Sequence, residues 1–298
     1  MGTQIFLGNP PANVEQWIKD HYGPKLDEPL CFTAKEANST VAMNATRSAP
    51  EVSLEYSTDG NTWSSFMVGI TTVTLANIED KVYIRANNDN TKLASDTSRT
   101  FNYFVITGTV SVSGNIMTLL KADGSLVDLV YPENRYAFAG LFDSCTAIVD
   151  ASSLLLPSST SNGCYANMFY GCSSLTKAPE LPATALANKC YFAMFYNCTS
   201  LTTAPELPAT TLANGCYSRM FYGCSSLTSA PELPATTLAD YCYKSMFYSC
   251  SKLSSLNVSF TAWVGANSTA TWLKYVAASG TFTCPSELPD RRSVSNIP

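Results

Sequence analysis

The stretch that decides the fold is residues 201–224, which read LTTAPELPATTLANGCYSRMFYGC. A unit of this kind recurs every 26 residues from about residue 140 to residue 256, as from Cys190 to Cys216. Four kinds of position keep this step: Cys164, Cys190, Cys216 and Cys242; Cys172, Cys198, Cys224 and Cys250; Met168, Met194, Met220 and Met246; Phe169, Phe195, Phe221 and Phe247. A degenerate earlier copy carries Cys145 and has one extra residue before the regular 26-residue spacing begins. Because a short unit cannot bury its apolar faces alone, the copies are expected to stack.

The apolar residues of each unit predict two kinds of local structure. One set suits a short strand that faces inward: Leu201, Ala204 and Leu207. A second set, spaced by four, suits one face of an α-helix: Leu212, Cys216, Met220 and Cys224. A strand and a helix in each unit predict an α/β leucine-rich-repeat solenoid of 26-residue coils. Its strands would lie about 4.8 Å apart along the stack.

The chain upstream of the repeats has a different pattern. Residues 31–110 contain short runs in which apolar and polar residues alternate, such as residues 81–85, and turn clusters such as Asp59-Gly60 separate the runs. This pattern predicts a small all-β immunoglobulin-like sandwich. The predicted organisation is a leader over residues 1–30 with a short helix at 13–23, the sandwich over 31–110, the solenoid with its caps over 111–284, and a C-terminal tail over 285–298.

The repeat also resembles a known family. Its pattern, C-x-S-L-T-x-A-P-E-L-P-A-x-x-L-A-x-x-C-Y-x-x-M-F-Y-x-C, is similar to the BspA-like, treponemal-type leucine-rich repeats of bacterial surface proteins. The matching positions are Leu201, Leu207, Pro208, Phe221 and Cys224, whereas the unit is three residues longer and has Met220 where alanine is usual. Residues 54–63 and 113–117 look like the immunoglobulin-like module that precedes such repeats in gut bacteria, and residues 278–282 look like their C-terminal cap. The resemblance covers about residues 31–298 and implies surface adhesion or binding to a host protein.

Composition and charge narrow the classes of partner. Charged residues make up 14% of the chain, the formal net charge is −5 and no basic run occurs, so nucleic-acid binding is not expected. No apolar stretch is long enough for a transmembrane helix. The first residues lack the basic and apolar regions of a signal peptide. We therefore expect either that a native export signal has been replaced or that the protein leaves its cell by another route, for instance in a phage particle.

Eleven cysteines raise the question of disulfide pairing. On a helix, Cys216 and Cys224 would lie ~12 Å apart, which is too far to pair, whereas equivalent cysteines of adjacent coils would lie about 5 Å apart. The ladder that includes Cys145 has five members and cannot pair fully. We therefore predict that both ladders are free, buried thiols with a structural role, and cross-coil disulfides are the alternative. No C-x2-C spacing occurs, so no metal site and no cofactor are expected.

Two outward-facing ladders supply the candidate ligand-binding residues. They are Tyr170, Tyr196, Tyr222 and Tyr248, and Glu180, Glu206 and Glu232. The tyrosines either bind a protein or a glycan or pack on one another at the surface, and the sequence leaves both interpretations open. The glutamates form a like-charge ladder that could hold a cation or a basic partner, but we favour a solvated edge.

Signals for catalysis are weak. Residues 57–63, STDGNTW, nearly match the Asp-box of sialidase-like propellers, but the match is one residue short, and a hairpin turn explains it better. The only histidine is His21 in the leader, so the predicted domains lack a histidine base. The repeats supply acids only as a regular ladder, and no phosphate-binding loop or dinucleotide fingerprint occurs. We therefore predict no catalytic residues.

The sequence as a whole predicts a non-enzymatic binding or adhesion module, secreted or at the cell surface. Its partner would be a protein or a glycan on a host or bacterial surface, recognised through the solenoid. A structural component of a phage particle or of a surface assembly is the alternative. A glycan-active enzyme is a third and less favoured interpretation.

Overall fold

The described part of the chain is nearly all β. The computed structural model describes residues 28–95, 100–123, 129, 134–263 and 267–289. No α-helix occurs in these residues, so the predicted α/β solenoid is wrong, and the coils consist of turns and extended segments. The helix predicted over 13–23 lies outside the described residues, as does the predicted tail from residue 290 onwards.

Strands in two sheets precede the first coil. They are β1 Leu30–Ala34, β2 Ser39–Ala45, β3 Leu54–Ser57, β4 Ser64–Phe66, β5 Thr72–Leu75, β6 Lys81–Ala86, β7 Asn102–Thr107 and β8 Val110–Asn115, and β9 Ile148–Leu155 follows in the first coil. One sheet has the order β4-β3-β6-β1-β8-β9, and the other has the order β5-β2-β7. Alternate residues of β6 are buried, because successive side chains of a strand point to opposite faces. The inner faces of the two sheets pack together, and the ring centroids of Phe32 and Phe104 lie 4.7 Å apart.

The β-sandwich is joined directly to the coils. β8 pairs antiparallel with β1 and parallel with β9, so one sheet extends from the sandwich into the first coil. The backbone N–H groups of Leu93 and Phe104 donate to the carbonyls of Ala137 and Leu141 in that coil, at 2.8 and 2.9 Å. The ring of Phe142 lies 5.6 Å from that of Phe104. One hydrophobic core therefore runs from the sandwich into the coil stack.

Each coil has a turn segment where a helix was predicted. Two kinds of backbone hydrogen bond alternate along this segment. Tyr217 and Phe221 donate their N–H groups to the next coil, at Cys242 (3.1 Å) and Met246 (2.9 Å). Between them, Met220 donates to the carbonyl of Tyr217, three residues back, at 3.1 Å. The turn segments of successive coils all bond in one direction, with the donor in one coil and the acceptor in the next.

A left-handed residue at every fourth position produces the turn segment. In one coil these residues are Gly215, Arg219 and Gly223, with φ of 61°, 58° and 74°. Neighbouring coils repeat the pattern at Gly163, Asn167 and Gly171, at Lys189, Ala193 and Asn197, and at Tyr241, Ser245 and Ser249. Side chains four residues apart therefore share a face. The turn segment, with four residues in each turn, therefore produces the spacing that was assigned to an α-helix with 3.6 residues per turn.

The interior of the coil stack consists of ladders of like residues. Phenylalanine rings stack from coil to coil with centroids 5.0 to 5.7 Å apart, at Phe142, Phe169, Phe195, Phe221 and Phe247. Leu201 and Leu207 are also buried, but the segments predicted as strands form only isolated parallel bridges, such as that between Ser229 and Ser255. In the last copy of this segment, β10 (Ser255–Asn257) pairs in parallel with β11 (Thr281–Thr283).

Candidate ligand-binding surface

The predicted tyrosine ladder is a continuous stack of rings at the surface. The centroids of consecutive rings lie 4.6, 4.5 and 4.5 Å apart, in the order Tyr170, Tyr196, Tyr222 and Tyr248. The rings are within 10° of parallel, so the face of each ring contacts the next ring. The ladder therefore offers a ligand the edges and the hydroxyl groups of half-buried side chains, and not the flat faces of the rings.

The predicted glutamate ladder lies on the proline-rich side of the coils. Glu180, Glu206 and Glu232 are all exposed. An open groove of about 430 Å³ runs past the first two, with Pro179 and Pro205 in its lining. Among the residues that the structure describes, these carboxylates form no ion pair, and no group of three or more potential metal ligands occurs. Water screens exposed like charges, so this side of the stack is a solvated acidic edge.

The two predicted cysteine ladders lie inside the stack. All members are free and buried: Cys164, Cys190, Cys216 and Cys242 in one, and Cys145, Cys172, Cys198, Cys224 and Cys250 in the other. In the second ladder each thiol donates to a phenylalanine carbonyl, as from Cys224 Sγ to Phe195 at 3.1 Å. Burial raises the pKa of Cys164 and of Cys250 to about 12. The ladder thiols therefore stay protonated at neutral pH, where a thiolate would be needed for nucleophilic reaction.

Thiol titration tests this arrangement. At pH 8, a disulfide reagent such as Ellman's is expected to modify one cysteine per folded chain, Cys284, because it is the exposed one among the eleven. Unfolding in denaturant should release all eleven thiols. A Cys284→Ser variant should show no rapid reaction while folded. Fewer than eleven thiols in denaturant would reveal disulfides, and several fast thiols in the folded chain would contradict the burial of the ladders.

The stretch that resembles an Asp-box is the loop of the β3–β4 hairpin. Asp59 accepts hydrogen bonds from the backbone N–H groups of Thr62 and Asn61, at 2.7 and 2.8 Å, and from the hydroxyl of Ser57 at 2.8 Å. These bonds, that of Thr62 first, hold the pKa of Asp59 well below its usual range. The carboxylate closes the loop on itself, as aspartate commonly does in turns.

A further surface carries charged and aromatic residues that differ between coils. We call it the basic groove, and it is an open groove of about 330 Å³ lined by Lys189, Phe192, Asn214, Gly215, Ser218, Arg219, Tyr241 and Lys244. Three successive coils contribute to it, because stacking brings together residues that are about one unit apart in sequence. None of these residues belongs to the tyrosine or glutamate ladders that were predicted to bind a ligand.

Positive charge and aromatic surface lie side by side in the basic groove. The guanidinium carbon of Arg219 lies 5.9 Å from the ring centroid of Phe192, and Nζ of Lys244 lies 5.2 Å from that of Tyr241. Lys189 adds a third positive charge. The lining contains no acidic residue, and in the described part of the chain none of these cations forms an ion pair. The groove therefore holds unneutralised positive charge on a chain of net charge −5.

The repeat register contains a sequence signal for this groove. Inside the stack, the cysteine, methionine and phenylalanine positions keep one residue type from unit to unit. The positions that supply the cations vary: Gly163, Lys189, Gly215 and Tyr241; Ala166, Phe192, Ser218 and Lys244; Asn167, Ala193, Arg219 and Ser245. Stacking alone does not require such variation. The groove therefore lies at positions where packing does not fix the residue type, which leaves its side chains free to suit a partner.

Comparisons of the chain with protein-family models, with curated proteins and with solved structures find no match. Within the described ranges, no helix has the length and apolar character needed to cross a membrane. Only the side chains that line the basic groove therefore indicate the class of ligand that it can bind.

Proposed function

We propose that the protein is a non-enzymatic binding or adhesion module, secreted or displayed on a cell surface, that recognises a protein or a glycan through its coil stack. The observation that carries the proposal is the basic groove, where residues change from coil to coil while the packing beneath them stays the same. Repeat proteins commonly use a regular scaffold with a varied surface to bind partners. The resemblance of the repeat to those of bacterial surface proteins supports the same function and location.

The coil stack is suited to hold a binding surface in a fixed geometry. Beneath the groove, Arg219 donates its backbone N–H to Lys244 at 2.8 Å, and Lys189 donates to Asn214 at 3.0 Å. These bonds tie together the three coils that line the groove. A preorganised surface loses little conformational entropy on binding, so even a small contact area can give useful affinity.

A binding screen with the full chain tests the proposal. The labelled protein is applied to arrays of extracellular proteins and glycans, and to bacterial and epithelial cells. We expect binding that falls at least about tenfold in a double variant, Arg219→Asn with Lys244→Ala, because arginine is among the residues that most often carry binding energy. A Lys252→Ser variant removes a lysine outside the groove and should bind like the parent. Absence of any ligand, or equal binding by parent and double variant, contradicts the proposal.

A structural role in a phage particle or surface assembly is the second candidate. It is supported by the sheet shared between sandwich and coils, since β8 and β9 make the two parts a stiff spacer. The native gene separates the two candidates. Neighbouring genes for tail or capsid proteins would favour the structural role, whereas a native start that encodes a lipoprotein signal would exclude a phage particle.

A glycan-active enzyme is the third and least supported candidate. Most glycoside hydrolases need two carboxyl groups about 5–10 Å apart that flank the scissile bond. The lining of the basic groove contains no carboxyl group, and the glutamate ladder is a row of equivalent exposed side chains. A hydrolase screen over common glycans would detect this activity, and we expect no turnover.

A further inference from the structure

We infer that the basic groove binds an anionic sugar, that is, a saccharide that carries carboxylate or sulfate groups. The inference rests on the proposed function and names the class of ligand for the same surface. It follows from the charge of the groove, its aromatic rings and the hydrogen bonds that already occupy its main chain.

The positive charge of the groove favours an anionic ligand. Lys189, Arg219 and Lys244 come from three successive coils, and nothing in the lining neutralises them. Adjacent coils are about 4.8 Å apart, so the cations are distributed along the stack axis. The planar guanidinium of arginine donates two parallel hydrogen bonds to a carboxylate or to a group of similar geometry, and such charge-assisted bonds are the stronger ones. A ligand with several negative groups along its length would meet these cations in turn.

The aromatic rings add an apolar surface of the kind that a sugar ring can use. Phe192 is half-buried, and Tyr241 is 38% exposed. Each of these rings has a cation over one face, Arg219 over Phe192 and Lys244 over Tyr241, and both rings line the groove. A pyranose presents C–H groups on its flat side and hydroxyl or anionic groups around its rim. The exposed parts of the rings would contact the former, while the cations and the exposed amide of Asn214 would bind the latter.

The backbone of the groove favours a sugar over an acidic peptide. Extended peptides usually gain affinity by pairing with an open sheet edge. Here the main-chain groups are already used, since Lys189 donates to Asn214, Gly215 donates to Asp240 at 2.9 Å, and Arg219 donates to Lys244. A nucleic acid is disfavoured for a different reason. Three cations neutralise few phosphates, and the lining offers no row of exposed aromatic rings on which successive bases could stack.

The backbone conformation of the groove allows the large side chains to be replaced by small ones. Lys189, Arg219 and Tyr241 have φ of 54°, 58° and 57°, in the left-handed region that suits glycine and asparagine. Equivalent positions in other coils do hold such residues, at Gly163 and Asn167. Left-handed positions outside the groove also hold large residues, such as Tyr136 and Tyr275, so this conformation belongs to the turn segment. The stack would accept smaller residues at the groove positions, so the cations can be removed without a change of backbone.

A variant built from the protein's own repeats tests the inference. Lys189→Gly, Arg219→Asn and Lys244→Ala are combined, because the coil with residues 163–172 has Gly163, Asn167 and Ala166 at the equivalent positions. The backbone therefore accepts every change, and thermal unfolding should be unchanged or shifted upward. The matched control is Lys252→Ser, which copies the serine at positions 174, 200 and 226 of the other units.

The probes are a sulfated hexasaccharide, a carboxylated hexasaccharide and the uncharged hexasaccharide of the same linkage, with hexaglutamate and a short oligonucleotide for comparison. Binding to the full chain is measured by calorimetry at low and high salt. We expect one of the two anionic sugars to bind, the uncharged sugar to bind at least about tenfold more weakly, and the triple variant to lose about 100-fold in affinity. The control should bind like the parent. Whether the sulfated or the carboxylated arm responds identifies the anionic group.

Several outcomes would overturn the inference. They are equal binding of charged and uncharged sugars, tighter binding of hexaglutamate or of the oligonucleotide, and full affinity in the triple variant. If the triple variant loses a protein or neutral-glycan partner found in the screen, while neither anionic sugar binds the parent, the inference fails and the proposed function stands. A Tyr241→Gly variant adds a separate readout, because binding should weaken; the variant also loses the hydrogen bond that Asn267 Nδ2 donates to the Tyr241 hydroxyl at 3.2 Å, so its unfolding temperature is measured as well.

Discussion

Replacing Met220 with aspartate is expected to lower the free energy of unfolding by about 4 kcal/mol or more, or to prevent folding. The Met220 side chain is fully buried, and Met194 and Met246 occupy the same position in the adjacent coils. A carboxylate there would lose its hydration without gaining an ion-pair partner. Protonation would remove the charge but leave a buried polar group without a hydrogen bond. Urea unfolding followed by circular dichroism measures the loss as a lower midpoint.

Two control variants separate burial of charge from other effects. Met220→Leu keeps the volume and polarity, and should cost less than about 1.5 kcal/mol. Arg219→Asp places the same carboxylate one residue away on the exposed side, and should stay within roughly 0.5 kcal/mol of the parent. If Met220→Asp melted at the same temperature as the parent, the assignment of the inward face of the turn segment would be wrong.

Replacing Gly114 with alanine is expected to cost about 3 kcal/mol, because two penalties add. Gly114 lies in β8 with φ of 83°, and this left-handed conformation costs an L-residue roughly 1–2 kcal/mol. The new methyl group would also contact the carbonyl oxygen of Pro29 and lie 2.9 Å from its carbonyl carbon. That neighbour is backbone, which cannot rotate away as a side chain could. Since β8 connects the sandwich to the coils, the junction itself should weaken.

Gly69→Ala is the matched control for this substitution. Gly69 has a similar φ of 75°, but a methyl group there would meet nothing within 4 Å. Its expected cost is therefore the conformational part alone, roughly 1–2 kcal/mol. The difference between the two variants in urea midpoint measures the clash with Pro29. Equal losses would show that the β8 backbone can shift to make room.

The repeat predicts which residues stack but not the path of the backbone between them. Like apolar side chains one unit apart can bury each other only if they lie in adjacent coils. The ring of Phe195 does lie between those of Phe169 and Phe221. A spacing of four, however, suits both a helix and a chain of four-residue turns. The deciding signal is Gly215 and Gly223, because glycine is a poor residue for a helix interior and a good one for a left-handed position. In other coils, lysine, alanine or tyrosine occupies such positions and hides the signal.

The candidate binding residues, too, could be predicted from the sequence only in part. The tyrosine and glutamate ladders are visible in the sequence because they repeat. The face of each tyrosine ring, however, is covered by the next ring. The basic groove escapes a search for repeated residues, since its cations stand where the units differ. Arg219 and Phe192 become neighbours only through the stacking of two coils. Their contact can be predicted only after the repeats have been aligned and the face of each position is known.

The one-way hydrogen bonding of the turn segments gives the coil stack an electrical polarity. Each peptide group has a dipole directed from its carbonyl oxygen to its amide hydrogen, and aligned dipoles add up, as they do in an α-helix. In the stack, the donating N–H groups of each coil point to the following coil. The positive pole therefore lies toward residues 267–275, and the negative pole lies where the N–H groups of Leu93 and Phe104 meet the first coil. Because peptide groups do not titrate, this polarity persists at every pH at which the chain is folded.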